Sequence, residues 1–394
     1  MTRRHRFTLV WLGAVTLPLV LGHIAGCAGT DEDPGGVTPD GAPSPDALDS
    51  SITLDGGGEE DAAIDASDAG GDVDADAGPP GPRCTADGWC YTDLPVIDAG
   101  SMSLTDVWAN ADEAWAVTSA GHVLHWKHGA WSIVFEAGVG LAGVRRDHEG
   151  TVWAVGQAGT ILRHTAGAPD TEWSSVPAGT GMDLVAICEG AVDASTPQNL
   201  WIAGKQTILL RWTGDVQEHP LWSYIPLGPI DIRSIWCAQE NVWAVGLDLT
   251  NNGSALYLGA NGAFTQLTGL PSTRSSRPFS AVWGSSASDI WMADITKIVH
   301  GPGGDPPAWT THDVGDWHFG SPMDWDFWGM APNDVWLVGR RGRIYHYDGA
   351  KLQMSLTSIE GVLMTNNLHG ISGASSDDLW VVGDDVALHR KTKN

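Results

Sequence analysis

The chain has 394 residues with 21 Lys+Arg against 48 Asp+Glu, a formal charge of −27, and contains 50 Gly, 22 Pro, 21 Trp and five Cys. So acidic a balance offers no electrostatic footprint for phosphate backbones, which excludes nucleic acid as a partner. Cysteine density, glycine spacing and a single long apolar run exclude a disulfide miniprotein, a collagen and a polytopic membrane protein.

Residues Thr2 to Arg6 are basic, and Phe7 to Ile24 are mostly apolar, with Pro18 and Gly22 interrupting. This is the layout of an export signal, expected over residues 1–26. The run ends Ile24-Ala25-Gly26-Cys27, which resembles the lipobox of bacterial lipoproteins. That resemblance implies diacylation of Cys27, which becomes the new N-terminus. Two acyl chains, at roughly 0.8 kcal/mol per buried methylene, give stable anchoring, so the membrane is met through a lipid anchor only. An ordinary signal peptide or a single membrane anchor is the alternative. Ala28, not Asp, follows Cys27, and resemblance to enterobacterial sorting then implies an outer-membrane lipoprotein, surface-exposed or periplasmic.

Residues 27–83 form the next expected segment, a lipid-anchored acidic linker. From Ala28 to Pro82 there is no aromatic residue, no Lys and no Arg, and fifteen residues are acidic. Such a stretch cannot bury enough apolar surface to offset its ordering entropy, and its charges repel, so an extended disordered spacer is expected. Asp72-Val73-Asp74-Ala75-Asp76 has the first three carboxylates of a calcium loop, but Ala77 and Arg83 stand where Gly and a bidentate Glu are required. No metal site is expected there.

From residue 84 to 394 one signature recurs: an apolar pair around a Trp, followed by small or apolar residues and usually Gly. The copies centre on Trp115, Trp153, Trp201, Trp243, Trp291, Trp336 and Trp380, spaced on average about 44 residues apart, the length of a four-stranded propeller blade. Upstream of each lies an apolar segment such as Leu104-Thr105-Asp106-Val107-Trp108. The Trp segment is a continuous apolar run, which suits a strand covered on both faces. A third strand such as Arg343-Ile344-Tyr345-His346 follows a turn, and a fourth carries Trp131, Trp173, Trp222 or Trp309. The expected fold is all-β, a seven-bladed β-propeller. The last repeat supplies only three strands, so the stretch Trp89 to Ile97 is expected to complete it and close the ring without a free edge.

The string Val152-Trp153-Ala154-Val155-Gly156-Gln157-Ala158-Gly159-Thr160-Ile161-Leu162, followed by Trp173, resembles the repeats of bacterial neuraminidase-repeat and photosystem-assembly-factor-type propellers. The Asp-Ala-Gly-rich spacer after a lipobox is similar to myxobacterial surface lipoproteins. The resemblance covers roughly residues 90–394 and implies the fold only, since one such ring hosts enzymes, lectins and scaffolds alike.

With Cys27 acylated, four cysteines remain, an even number that in an exported protein suggests two disulfides. Cys84 and Cys90 flank five residues before the closing strand. Cys188 and Cys237 fall at the ends of the innermost strands of consecutive repeats, where a bridge would stabilise by roughly 4 kcal/mol in the chain-entropy model. Two buried thiols are the alternative for that second pair.

His125, His300, His346 and His389 occupy the same third-strand position in different repeats, which argues for half-exposed strand histidines, not a shared metal. The second-strand tryptophans are expected to glue blades together. Non-repeating insertions are better binding candidates. The richest, His312 to Asp326, contains Trp317, His318, Phe319, Asp324 and Trp325, and the connection carrying Arg274 and Arg277 should share its face. Aromatic platforms beside Asp and Arg suit a sugar or an extended peptide, although Trp317 and Trp325 could equally cover the end of the core. The Ser-x-Asp-x-Gly-x-x-Trp box of sialidases is absent, because Ser288-Asp289-Ile290-Trp291 lacks the Gly and the spacing. Gly-x-Ser-x-Gly, His-Glu-x-x-His and P-loop motifs are absent too. The expectation is a monomeric, membrane-tethered binding or assembly module for a glycan or protein, without cofactor. A sialidase-like or other carbohydrate-active enzyme on the same ring is the alternative, and a cluster of Arg and carboxylates at the axis would favour it.

Overall fold

The computed structural model describes residues 83–97, 100–191, 199–212, 222–238, 241–260, 263–271, 278–294, 297–301, 308–313, 325–355, 357–359 and 361–392. Among them are seven four-stranded antiparallel sheets, one small hairpin and a single 3₁₀ turn at Gln157–Gly159. The seven sheets are the blades of a propeller. Their innermost strands, from the first blade to the seventh, are Leu104–Ala109, Leu141–Arg146, Leu184–Glu189, Ile230–Ala238, Ala281–Ser286, Asp326–Ala331 and Leu368–Ser375.

The second strand of every blade carries the repeated Trp, and its exposure is 5% or less in all seven. That burial decides their role: these indoles hold blades together and present no face to a ligand. Seven apolar clusters fill the seven junctions between neighbouring blades. At one of them Trp243 and Val245 of the fourth blade meet Val282, Ile290 and Met292 of the fifth. Both faces of each second strand are therefore covered, which is why its sequence is continuously apolar.

Ring closure follows the expected pattern with a shorter strand. Trp89–Tyr91 pairs antiparallel with the third strand of the seventh blade, Trp89 opposite Arg390 and Tyr91 opposite Leu388. Thr92 adds one more bond, its N–H to the Ala387 carbonyl. Pro95 has no N–H to continue the ladder, and Leu94 and Ile97 leave the sheet to pack where the seventh blade meets the first. Trp89 is fully buried, donates its indole N–H to Ser355 Oγ at 3.1 Å, and meets Trp336 edge-on.

Both cysteine pairs are bonded, Cys84 to Cys90 and Cys188 to Cys237. The first fastens the start of the closing strand. The second joins the innermost strands of the third and fourth blades, and the other junctions are tied by other means. Asp106 accepts the Val144 N–H, Ser234 the Val282 N–H, Asp326 the Ile371 N–H and Ser372 the Ala109 N–H. Glu189 binds His148, and Trp325 donates to the Asp294 carbonyl. Where the register position of Asp106 is filled by Ala186, the disulfide supplies the tie.

A feature absent from the repeat pattern is the hairpin Ser358–Ile359 with Val362–Leu363, set between the sixth and seventh blades with Val362 and Leu363 exposed.

Candidate functional site

Each innermost strand of the first four blades and of the seventh carries a β-bulge near its start, at Leu104/Asp106, Leu141/Gly143, Leu184/Ala186, Ile232/Ser234 and Leu368/Gly370. The extra residue breaks the alternation of side chains. Apolar residues consequently enter the core at a spacing of three, as in Leu104 and Val107 or Leu368 and Ile371. The intervening side chains line an axial channel of about 800 Å³.

Chain direction distinguishes the two ends of this channel. Second-to-third-strand turns bond to the connection entering their own blade, Gln157 N–H to Gly140 O, Lys205 N–H to Asp183 O and Asp384 N–H to Asn367 O. Turns and connections thus share one face, the connection face. At the opposite face, where the innermost strands end, Trp108, Trp236, Trp283 and Trp328 stand half-buried around the mouth. Trp236 lies against Gly284, where a Cβ would come 2.8 Å from its Cη2, and Trp283 lies on Gly329 in the same way. Glycine in the next blade leaves room for the edge of each of these two indoles.

Two carboxylates sit on the channel wall in equivalent registers. Asp106 accepts the N–H groups of Val107 and Val144, each at 2.8 Å, and Asp326 those of Phe327 and Ile371, each at 2.9 Å. Burial pushes Asp106 up to about 8, reinforced by the charge of Asp326 and opposed by its two N–H donors and by Arg145. Burial likewise pushes Asp326 up to about 7 against its own donors. The axis therefore holds carboxylates and Arg145, but both carboxylates are spent on carrying the main chain of one blade onto the next.

Of the expected site residues, only Trp325 is described. It is 4% exposed, belongs to the core between the fifth and sixth blades, and lies over Gly339. Trp317, His318, Asp324, Arg274 and Arg277 lie outside the described residues, as does Cys27.

Of the four aligned histidines, His300, His346 and His389 are half-exposed strand residues as expected, and His125 is the exception, being buried. Each stacks flat on the second-strand Trp of its own blade, at centroid distances of 3.8 Å for His125 on Trp115, 4.0 Å for His300 on Trp291, and 4.1 Å for His346 on Trp336 and for His389 on Trp380. Each also meets a carboxylate two residues before that Trp, namely Glu113, Asp289, Asp334 or Asp378, at 2.5–2.9 Å. The hydrogen bond from His125 holds Glu113 below the usual carboxylate range. The second and third blades solve the same problem with Arg163 over Trp153 and Arg211 over Trp201. In the sequence the carboxylate stands two residues before the Trp and the His nine or ten after it, and the carboxylate is the member of the trio that the repeat pattern did not bring out.

This substitution pattern sets an expected result. His346→Ala should cost about 1–2 kcal/mol, from a lost charge-assisted bond and lost stacking, whereas His346→Arg should stay within about 1 kcal/mol because cation–π contact replaces the stack. Thermal melts of both variants decide it. Chelator should leave the wild-type melt unchanged, and a drop would restore a metal at these histidines.

No protein-family model matches the sequence, and no curated protein matches it. Solved structures do resemble it. YCF48 bound to D1 peptide is 17% identical with a TM-score of 0.57, covering 79% of this chain and 98% of that one. YCF48 from Cyanidioschyzon merolae is 16% identical with a TM-score of 0.55, covering 77% and 98%. The WD40 β-propeller domain of Doa1 is 12% identical with a TM-score of 0.58, covering 78% and 98%. At these identities the likeness is one of fold.

Proposed function

We propose that this chain is an exported binding or assembly module, tethered to a membrane through Cys27 and held off it by the acidic linker, that recognises a protein or glycan through the loops of its connection face. The observation that carries this reading is the commitment of the axial carboxylates. A glycosidase needs one carboxyl group free to give a proton and another free to act as nucleophile or base. Here each accepts two main-chain N–H groups, one of them from the next blade, so neither can be released without loosening a blade junction. Ser234, Ser372 and Glu189 of the innermost strands are likewise used between blades, whereas loops are the surface that varies between blades. A propeller of similar fold has been captured with a peptide, which supports, by analogy of fold alone, a protein partner over a glycan.

The partner is expected to contact Trp317, His318 and Asp324 together with Arg274 and Arg277, while Trp325 serves from beneath. The purified chain is to be screened on peptide and glycan arrays and the best hit titrated. Trp317→Ala and the pair Arg274→Ala/Arg277→Ala should each weaken it by about tenfold or more, in line with the loss of an aromatic or Arg anchor. Wild-type affinity in both variants would remove this face, and turnover of an arrayed glycan would restore the enzyme reading.

A further inference from the structure

A second candidate site, independent of the connection-face loops, lies at the other mouth of the channel. Arg145 is the penultimate residue of the innermost strand of the second blade and lines the lumen. Protein surrounds it, so burial lowers its pKa while the charges of Glu189 and Asp106 raise it, yet channel water reaches it and the residue is exposed. Among the described residues it makes no hydrogen bond and no ion pair within 4 Å, in contrast to its neighbour Arg146, which pairs with Glu113 and lies over Trp108. The nearby carboxylates are engaged elsewhere. Glu189 accepts the main-chain N–H and ring nitrogen of His148, and Asp106 accepts two main-chain N–H groups. A guanidinium with five donors is thus presented to the lumen.

Across the seven-membered ring from the second blade stand the fifth and sixth, with Trp283 and Trp328, and the fourth beside them carries Trp236. The glycines beside Trp236 and Trp283 make room for the edges of those two rings, and both half-buried indoles line the channel. Of the cations that line this cavity, Lys205 and Arg233 are paired with Asp183 and Asp231, and aromatic lining beside an uncommitted Arg145 has the properties of a small-molecule pocket. Guanidinium donors in a fixed fork suit a carboxylate bidentately.

We propose that this mouth binds a small organic carboxylate with a flat apolar body, its anion held by Arg145 and its body lying on Trp236, Trp283 and Trp328.

The test is isothermal titration calorimetry of the full chain in detergent with phenylacetate and indole-3-acetate, each against its uncharged counterpart, phenylacetamide and indole-3-acetamide. At least one carboxylate should bind with a Kd below about 1 mM and about tenfold tighter than its counterpart. Arg145→Gln should erase that preference while leaving the melting temperature unchanged, and Arg145→Lys should retain part of it. Trp283→Leu should weaken the acid and its counterpart alike, and Trp317→Ala should change nothing. The site is overturned if neither acid gives saturable heat, if the uncharged partners bind equally, or if Arg145→Gln binds like wild type. None of these results bears on the peptide and glycan screen of the loop face.

Discussion

Trp89→Ala is expected to lower the melting temperature by about 10 °C, the largest effect of any single substitution considered. The indole is fully buried between the sixth and seventh blades, so its removal forfeits apolar burial and leaves a cavity worth about 3–5 kcal/mol, and at about 2–4 °C per kcal/mol this is a shift of that order. Its N–H bond to Ser355 is lost as well, and Ser355 itself donates to Asp87 on the same closing segment. The consequence exceeds the side chain, because the strand of three residues is the sole cover of the edge of Val386–Lys391. An uncovered edge presents unpaired N–H and C=O groups to other chains. Size-exclusion chromatography of the variant near its melting point should therefore show oligomers. A monomeric variant melting within about 2 °C of wild type would mean that the ring closes without this strand.

Stability should also fall as pH rises from 5 to 8, and the double variant Asp106→Ser/Asp326→Ser should largely abolish that slope. An unfolded aspartate loses its proton near pH 4, whereas in the folded ring burial pushes Asp106 up to about 8 and Asp326 up to about 7. Between those limits the unfolded state releases protons that the folded state keeps, so rising pH favours unfolding until both groups have ionised. His148, raised chiefly by its hydrogen bond to Glu189, adds a loss of the same sign as pH climbs through its folded value. That contribution is common to both proteins and cancels in the difference. Serine is the chosen replacement because Ser234 already fills this register in the fourth blade and accepts the Val282 N–H. Melting curves across the range should show wild type dropping by about 5 °C or more and the variant nearly level. Parallel slopes would show that both carboxylates are ionised throughout.

The architecture was legible because its determinants are local and repeated. A Trp set in a doubly covered strand recurs at blade length, and an odd strand at each end of the repeat array points to a shared final sheet. The short Cys84 to Cys90 interval pointed to one disulfide, whereas for Cys188 and Cys237, on neighbouring innermost strands, a bridge and two buried thiols both stayed open until the structure showed the bond. The axial chemistry was hidden by the bulges. In a regular strand Leu104 and Asp106 would share a face, and only the extra residue sends Leu104 into the core while Asp106 reaches across to Val144. The apolar spacing of three in Leu141 and Val144, Leu184 and Ile187, Ile232 and Ile235 was the available signal. Arg145 could not be singled out at all, because whether an arginine has a partner depends on the neighbouring blade. The hairpin at Ser358–Ile359 and Val362–Leu363 is too short to leave a periodic trace.

The union of Trp89–Tyr91 with Val386–Lys391 joins segments almost three hundred residues apart in sequence. Their pairing is the most non-local contact of the fold, and contacts of that kind form late and slowly. During synthesis, the first blade-forming segment must wait until nearly the whole polypeptide has emerged before its partner exists. A nascent chain interrupted before Val386 can stack six sheets yet never seal the circle, leaving its leading strand loose for proteases to find. Joining head to tail thus makes completeness of the polypeptide a condition of its maturation.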